Sequence, residues 1–160
     1  MLERHSILAQ PPLSAGRVHR VLVAFDGSPG AWAALRQGIV IASDEHAVLT
    51  IAAVVSEPPL WVGFGPLVVP WTREMLRRDA ERRMLQRLAD ARDEVPATIS
   101  VSTVLLRGRP AHALADLAAG GCYDLVVCGP RPAGRLRRLL GLGVTHRLLS
   151  RCSTSVLAVK

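Results

Sequence analysis

Short apolar runs alternate with segments of helical periodicity along most of this chain, and that alternation restricts the fold more than any other feature of the sequence. Residues 20–26 are a compact apolar run ending in turn residues, which reads as a buried strand. Ser28 then offers a helix N-cap and Pro29 fits the first helical position. Ala31, Ala34, Leu35, Gly38 and Ala42 follow at helical spacing. Residues 47–55 form a second apolar run, and a long helix capped by Thr72 is expected to reach about Asp93. Its apolar face would carry Leu76, Ala80, Met84, Leu88 and Ala91, with Glu74–Arg78 and Asp79–Arg83 pairs on the solvent side. Ile99, Val101, Thr103 and Leu105 alternate as a strand within 98–106. Pro110 opens a helix that Gly120 and Gly121 close, and residues 124–128 are a fourth strand. A Gly/Pro/Arg-rich loop spans 129–143, a short helix is expected at 144–151, and a last strand at 155–159.

The order is strand–helix repeated four times and closed by a fifth strand. Such an order builds an α/β domain: one parallel five-stranded sheet with right-handed crossovers and helices on both faces. Residues 18–160 make that single domain, and residues 1–17 are expected as a tail, loosely held or lying across a partner. The segment 56–70 is rich in proline yet holds Leu60, Trp61, Val62, Phe64, Leu67, Val68 and Val69, as expected of a lid or an interface element.

Charge is distributed unevenly. The chain has 20 basic and 13 acidic residues, a net charge of +7. Asp124 is the last acid, and Arg131, Arg135, Arg137, Arg138, Arg147, Arg151 and Lys160 follow it unopposed. A basic C-terminal segment of this kind points to an anionic partner, or to solvated charges that meet acids across an interface. Only Tyr123 among the aromatics lies beyond Trp71, so the stacking platforms of a nucleic-acid surface are missing and nucleic acid is not the expected partner. Hydrophobic residues make up 49% of the chain, but Pro, Gly and charge interrupt every long apolar stretch, and neither a signal peptide nor a membrane span is expected. Cys122, Cys128 and Cys152 have no disulfide or zinc spacing, which fits free thiols in a reducing, cytoplasmic setting, with Cys128 a small core residue. The five histidines are scattered and no resident metal site is expected.

In a parallel α/β sheet, ligands bind beyond the carboxyl ends of the strands, where the strand order reverses. The segments to search are therefore Asp26-Gly-Ser28 and Gly129-Pro-Arg131. Neither a GxxxxGK(S/T) phosphate loop, a GxGxxG turn nor a GxSxG elbow is present, and no spacing joins Asp26 to His112 or His146 as a catalytic pair. No catalytic residue is assigned.

Across residues 18–160 the chain resembles the universal stress protein family. The resemblance is carried by Val21-Leu-Val-Ala-Phe-Asp-Gly-Ser28, Gly108-Arg-Pro110 and Asp124-Leu-Val-Val-Cys-Gly-Pro-Arg131. It continues through Leu136-Arg-Arg-Leu-Leu140, Val144–Arg147 and Val156-Leu-Ala-Val159. It implies a Rossmann-like sheet of order 3-2-1-4-5 and a homodimer that pairs its last strands, here 155–159. It also implies a stress-response role and, in one branch of the family, ATP binding. That branch carries glycine, two residues, glycine, nine residues, glycine and a hydroxyl residue after the fourth strand. Aligned without gaps, this chain keeps Gly129 but has Pro132, Leu142 and Gly143 at the other three positions. Pro132 has no N–H to offer a phosphate, and Leu142 adds a side chain where backbone must approach closely. A slipped register keeps Gly134 and Gly143, with Val144 and Thr145 opening the next helix.

The resemblance places a nucleotide base against Ala24, Phe25, Asp26 and Val54, and the phosphates near Cys128, Gly129, Arg131, Gly143, Val144 and Thr145. Asp26 reads equally as a turn residue accepting a backbone hydrogen bond from Gly27 or Ser28. The expectation is a cytoplasmic dimeric regulator with weak or lost ATP binding, any metal being the magnesium that a nucleotide carries. A nucleotide-state sensor with slow ATPase activity is the alternative.

Overall fold

A computed structural model of the chain describes residues 17–56, 70–129 and 154–159. The N-terminal tail, the apolar segment 57–69 and residues 130–153, which include the expected helix at 144–151, lie outside the described residues. The elements in chain order are β1 (Arg20–Ala24), α1 (Pro29–Glu45), β2 (Val48–Val55), α2 (Pro70–Asp93), β3 (Val101–Arg107), α3 (Pro110–Gly120), β4 (Leu125–Cys128) and β5 (Ser155–Ala158). The strands form one sheet in the order β3-β2-β1-β4-β5, and every pairing is parallel. The expected α/β architecture and strand order are both present.

Parallel strands covered on both faces must be apolar on both faces, and β1 is the clearest case. Val21 and Val23 turn toward α1 and α2, Leu22 turns toward α3, and all three are fully buried. On the first face Leu49, Ile51 and Ala53 of β2 and Val127 of β4 meet Ala31, Ala34, Leu35 and Ala42 of α1 and Leu88 and Ala91 of α2. On the second face Leu22, Ala52 and Val126 meet Leu114, Ala115 and Ala118 of α3. Each fully buried Leu or Ile contributes roughly 1.5–3 kcal/mol relative to exposure.

The buried face of α1 is Ala31, Ala34, Leu35, Gly38 and Ala42, the set given by its periodicity. Gly38 is where the helix comes closest to the sheet, because a Cβ there would lie 2.6 Å from Val23 Cγ2. The helix ends at His46, whose left-handed backbone (φ 56°) lets its N–H bond to the Ala42 carbonyl.

Four local expectations need correction. The helix α2 begins at Pro70 rather than at a Thr72 cap, because proline fits a first helical turn whose N–H groups have no partner inside the helix. Leu76 is 47% exposed and lies off the buried face, which starts effectively at Met84 and Leu88. Among the described residues Asp79 and Arg83 form no ion pair. Instead Arg77 bridges Glu74 (2.8 Å) and Glu81 (3.0 Å), while Arg78 takes Glu74 at 2.7 Å as expected. Ile99 is buried but precedes β3, its N–H donating to the Pro96 carbonyl in a turn.

At the amino ends of the strands a clamp closes the sheet. One Asp124 carboxylate oxygen accepts both the His19 N–H (2.8 Å) and the Arg20 N–H (2.9 Å). The Asp124 N–H returns a bond to the Arg20 carbonyl, and the Arg20 guanidinium lies over the Tyr123 ring at 5.1 Å.

Candidate functional site

The strand order reverses between β1 and β4, so the carboxyl ends of these two strands define the crevice. The β1 exit is a tight turn. Ser28 N–H donates to Asp26 Oδ1 (3.0 Å), so the turn role considered for Asp26 is realised. Gly27 takes φ +78°, a conformation open to glycine at little cost. Ser28 caps α1 by accepting the Ala31 N–H on its hydroxyl (3.2 Å), and its carbonyl accepts the Trp32 N–H (3.0 Å). From α2 the Arg87 side chain reaches over this turn, its Nη1 donating to the Asp26 carbonyl at 3.1 Å.

The β1 residues expected at the site divide between the two faces. Ala24, partly buried, lies on the α3 face together with Val54 of β2. Strand alternation puts Cys128 on that face too, in register with Val126. On adjoining strands and on one face, these three residues are the apolar end of the crevice, its notch. Phe25 turns the other way: it is 3% exposed and its ring meets Trp32 edge-to-face at 5.0 Å. Its N–H is taken by the Ala52 carbonyl (2.8 Å), so its side chain serves the core and not the crevice. Cys128 Sγ lies 3.7 Å from the Leu157 carbonyl of β5 and is buried, as expected of a small core residue.

Gly129 has a structural duty that its place in a phosphate motif does not reveal. A Cβ at Gly129 would collide with the carbonyl oxygen and carbonyl carbon of Gly30. The exit of β4 therefore packs backbone to backbone against the first turn of α1, which pins the two walls of the crevice together. Arg131, Gly143, Val144 and Thr145 lie outside the described residues.

Sequence reasoning missed Arg87, Arg107 and Asp124. Arg107, at the carboxyl end of β3, pairs with Glu81 of α2 at 2.8 Å, and Glu81 also holds Arg77. Hydrogen bonds from Arg78 and, second, from Arg77 hold the Glu74 carboxyl below its ordinary value, and Glu74 in turn raises Arg77. His112 lies in the first turn of α3, and its Nδ1 is buried with no hydrogen-bond partner among the described residues. Among the described residues no group of three or more His, Cys, Asp or Glu could hold a metal ion, and no helix is long and apolar enough to cross a membrane.

An apolar notch beside a turn that presents backbone groups and one carboxylate suits a flat heteroaromatic ring with polar edges. A family model described as the universal stress protein family matches residues 17–160. A universal stress protein of Bacillus subtilis is 25% identical over 146 residues, covering 89% of this chain and 99% of its own. Solved structures share the fold. One is a universal stress protein in complex with cAMP, with a TM-score of 0.64 at 22% identity, covering 90% of this chain and 98% of its own. Another is an Arabidopsis thaliana universal stress family protein with AMP bound, with a TM-score of 0.60 at 13% identity, covering 89% and 91%.

Proposed function

Since the chain belongs to the universal stress protein family, we propose that it is a regulatory binding protein for an adenine nucleotide, with weak affinity for ATP. The observation that carries this reading is the meeting of Ala24, Val54 and Cys128 on one face beside the Asp26–Ser28 turn, at the reversal of strand order. The notch takes the base, and the turn supplies polar groups to its edge. Relatives of the fold solved with cAMP and with AMP support a monophosphate as occupant. Pro132 and Leu142 remove the donors and the space that a triphosphate would require after β4. The base end of the site is thus better provided than the phosphate end, which favours a ligand with one phosphate over a ligand with three.

The protein acts in the cytoplasm as a homodimer joined through residues 155–159. The support for this contact is β5 itself, an edge strand whose free side has neither proline nor charge along Ser155–Ala158. A two-fold contact lets that one strand satisfy both copies.

Calorimetric titration with AMP, cAMP and ATP–magnesium tests the ligand reading. A monophosphate is expected to bind at least as tightly as ATP, with an ATP dissociation constant no tighter than about 100 μM, or roughly −5.5 kcal/mol. Low-micromolar ATP binding would show that the slipped glycine register cradles the triphosphate after all.

A further inference from the structure

The Asp26–Gly27 peptide can face two ways. Glycine accepts positive and negative φ alike, so a peptide that precedes it can turn over without the penalty other residues would meet. In this protein one orientation is held from outside the turn. The Asp26 carbonyl points toward α2, where Arg87 Nη1 donates to it at 3.1 Å. The Arg87 stem also lies against Gly27, since a Cβ there would meet Arg87 Cδ at 2.8 Å. In a trans peptide the N–H points opposite to the C=O. The Gly27 N–H is therefore directed away from the Arg87 guanidinium and from α2. Among the described residues this N–H has no hydrogen-bond acceptor, whereas its neighbour Ser28 N–H is taken by Asp26 Oδ1.

We propose that Arg87 is a positioning residue: it pins the Asp26–Gly27 peptide and so aims the Gly27 N–H into the crevice as a donor to the bound nucleotide. The acceptor on the ligand is a ring nitrogen or an oxygen. This inference rests on the adenine-nucleotide reading above, and it assigns to α2 a part in ligand recognition without contact between α2 and the ligand. The guanidinium suits the task because one N–H can serve the carbonyl while the charge stays hydrated.

The test uses the full chain with Arg87→Met, which keeps the cover over Gly27 but not the donor, and Arg87→Lys, which keeps a donor. Without ligand, the Gly27 amide should give one sharp nitrogen–proton resonance in wild type. It should broaden or double in Arg87→Met as the peptide samples both orientations, and sharpen again in Arg87→Lys. With AMP, the wild-type Gly27 amide should shift downfield. Affinity should fall about five- to tenfold in Arg87→Met, the worth of one net hydrogen bond, and by less than about threefold in Arg87→Lys. An unchanged Gly27 resonance in ligand-free Arg87→Met overturns the pinning. A wild type that binds AMP with an unmoved Gly27 amide, or variants that bind equally well, overturn the donor role. A wild type that binds neither AMP nor cAMP overturns the nucleotide reading and the donor role together, while the ligand-free spectra still decide the pinning.

Discussion

Replacing Gly129 by alanine should destabilise the protein more than any other glycine-to-alanine change in the described sheet and helices. The added Cβ would collide with Gly30 O and C and lie 2.9 Å from Gly30 Cα, closer than real Cβ contacts come, so the backbone would have to shift. The obstacle is backbone in the first turn of α1, which has no rotamer by which to withdraw. Gly129 does not occupy the left-handed region, so alanine brings no backbone strain. Its stiffer unfolded chain even favours folding by about 0.4–1 kcal/mol. Any net loss is therefore steric, and overpacking against backbone belongs at or above the ~1–3 kcal/mol usual for cores. A net cost of about 2–3 kcal/mol corresponds to a fall in Tm of roughly 5–10 °C for a domain of this size. Two sister variants calibrate the result. Gly120→Ala meets nothing within 4 Å and should leave Tm unchanged or raise it. Gly38→Ala presses on the buried Val23 side chain at 2.6 Å, which can yield in part, and should fall between the two. Scanning calorimetry of all three decides the matter. A Gly129→Ala protein that melts with or above wild type would refute the backbone contact.

Asp124→Ala should cost about 1–2 kcal/mol by chemical denaturation, because two backbone N–H groups lose a charged acceptor, while Asp124→Asn keeps an acceptor and should lose less. The Glu74 carboxyl should titrate below its ordinary value of 4.5 by carbon NMR, because Arg78 and Arg77 hold it ionised. A lowered carboxylate contributes stability above its unfolded pKa and loses it as pH falls through the folded value. The small stabilising effect on α2 should therefore be present above the ordinary carboxylate value, fade as pH falls from there through the folded value, and be missing in Glu74→Gln. Light scattering should give a dimer for wild type at micromolar concentration and a monomer for Leu157→Asp, and a variant that stays dimeric would place the interface elsewhere.

Much of the frame was legible in the chain because it depends on period and punctuation. The buried face of α1, its Ser28 cap and the five apolar runs are all local patterns, and each strand of the sheet falls within a residue or three of its expected place. Leu76 was misplaced because a 3.6-residue period says which residues share a stripe but not where along a 24-residue helix the sheet begins to cover it. The site was legible only where its residues are neighbours in sequence, as in Asp26–Ser28. The direction of the Phe25 side chain was not legible, because it depends on the strand alternation that turns it to the core, where Trp32 holds it. Arg87 meets Asp26 from 61 positions away, and no pattern in either segment announces that meeting. The same holds for Gly129, whose need to be glycine is set by Gly30 on a distant element.

The central place of β1 also has a consequence for how the chain is made. Residues 20–107 supply β1, β2 and β3 in sequence, β2 pairing with β1 and β3 with β2. The other side of β1 waits for β4, where Val21 pairs with Leu125, and then β5 pairs with β4 through the last residues of the chain. On a ribosome releasing the chain from its amino end, three strands therefore emerge before the partner of β1 exists. In that interval Val21, Leu22 and Val23 stand on an open edge, which makes the growing chain, rather than the finished domain, the form most exposed to misassociation. A ribosome-bound chain halted near residue 110 should accordingly depend on chaperone cover in a way that a chain extended past residue 160 does not.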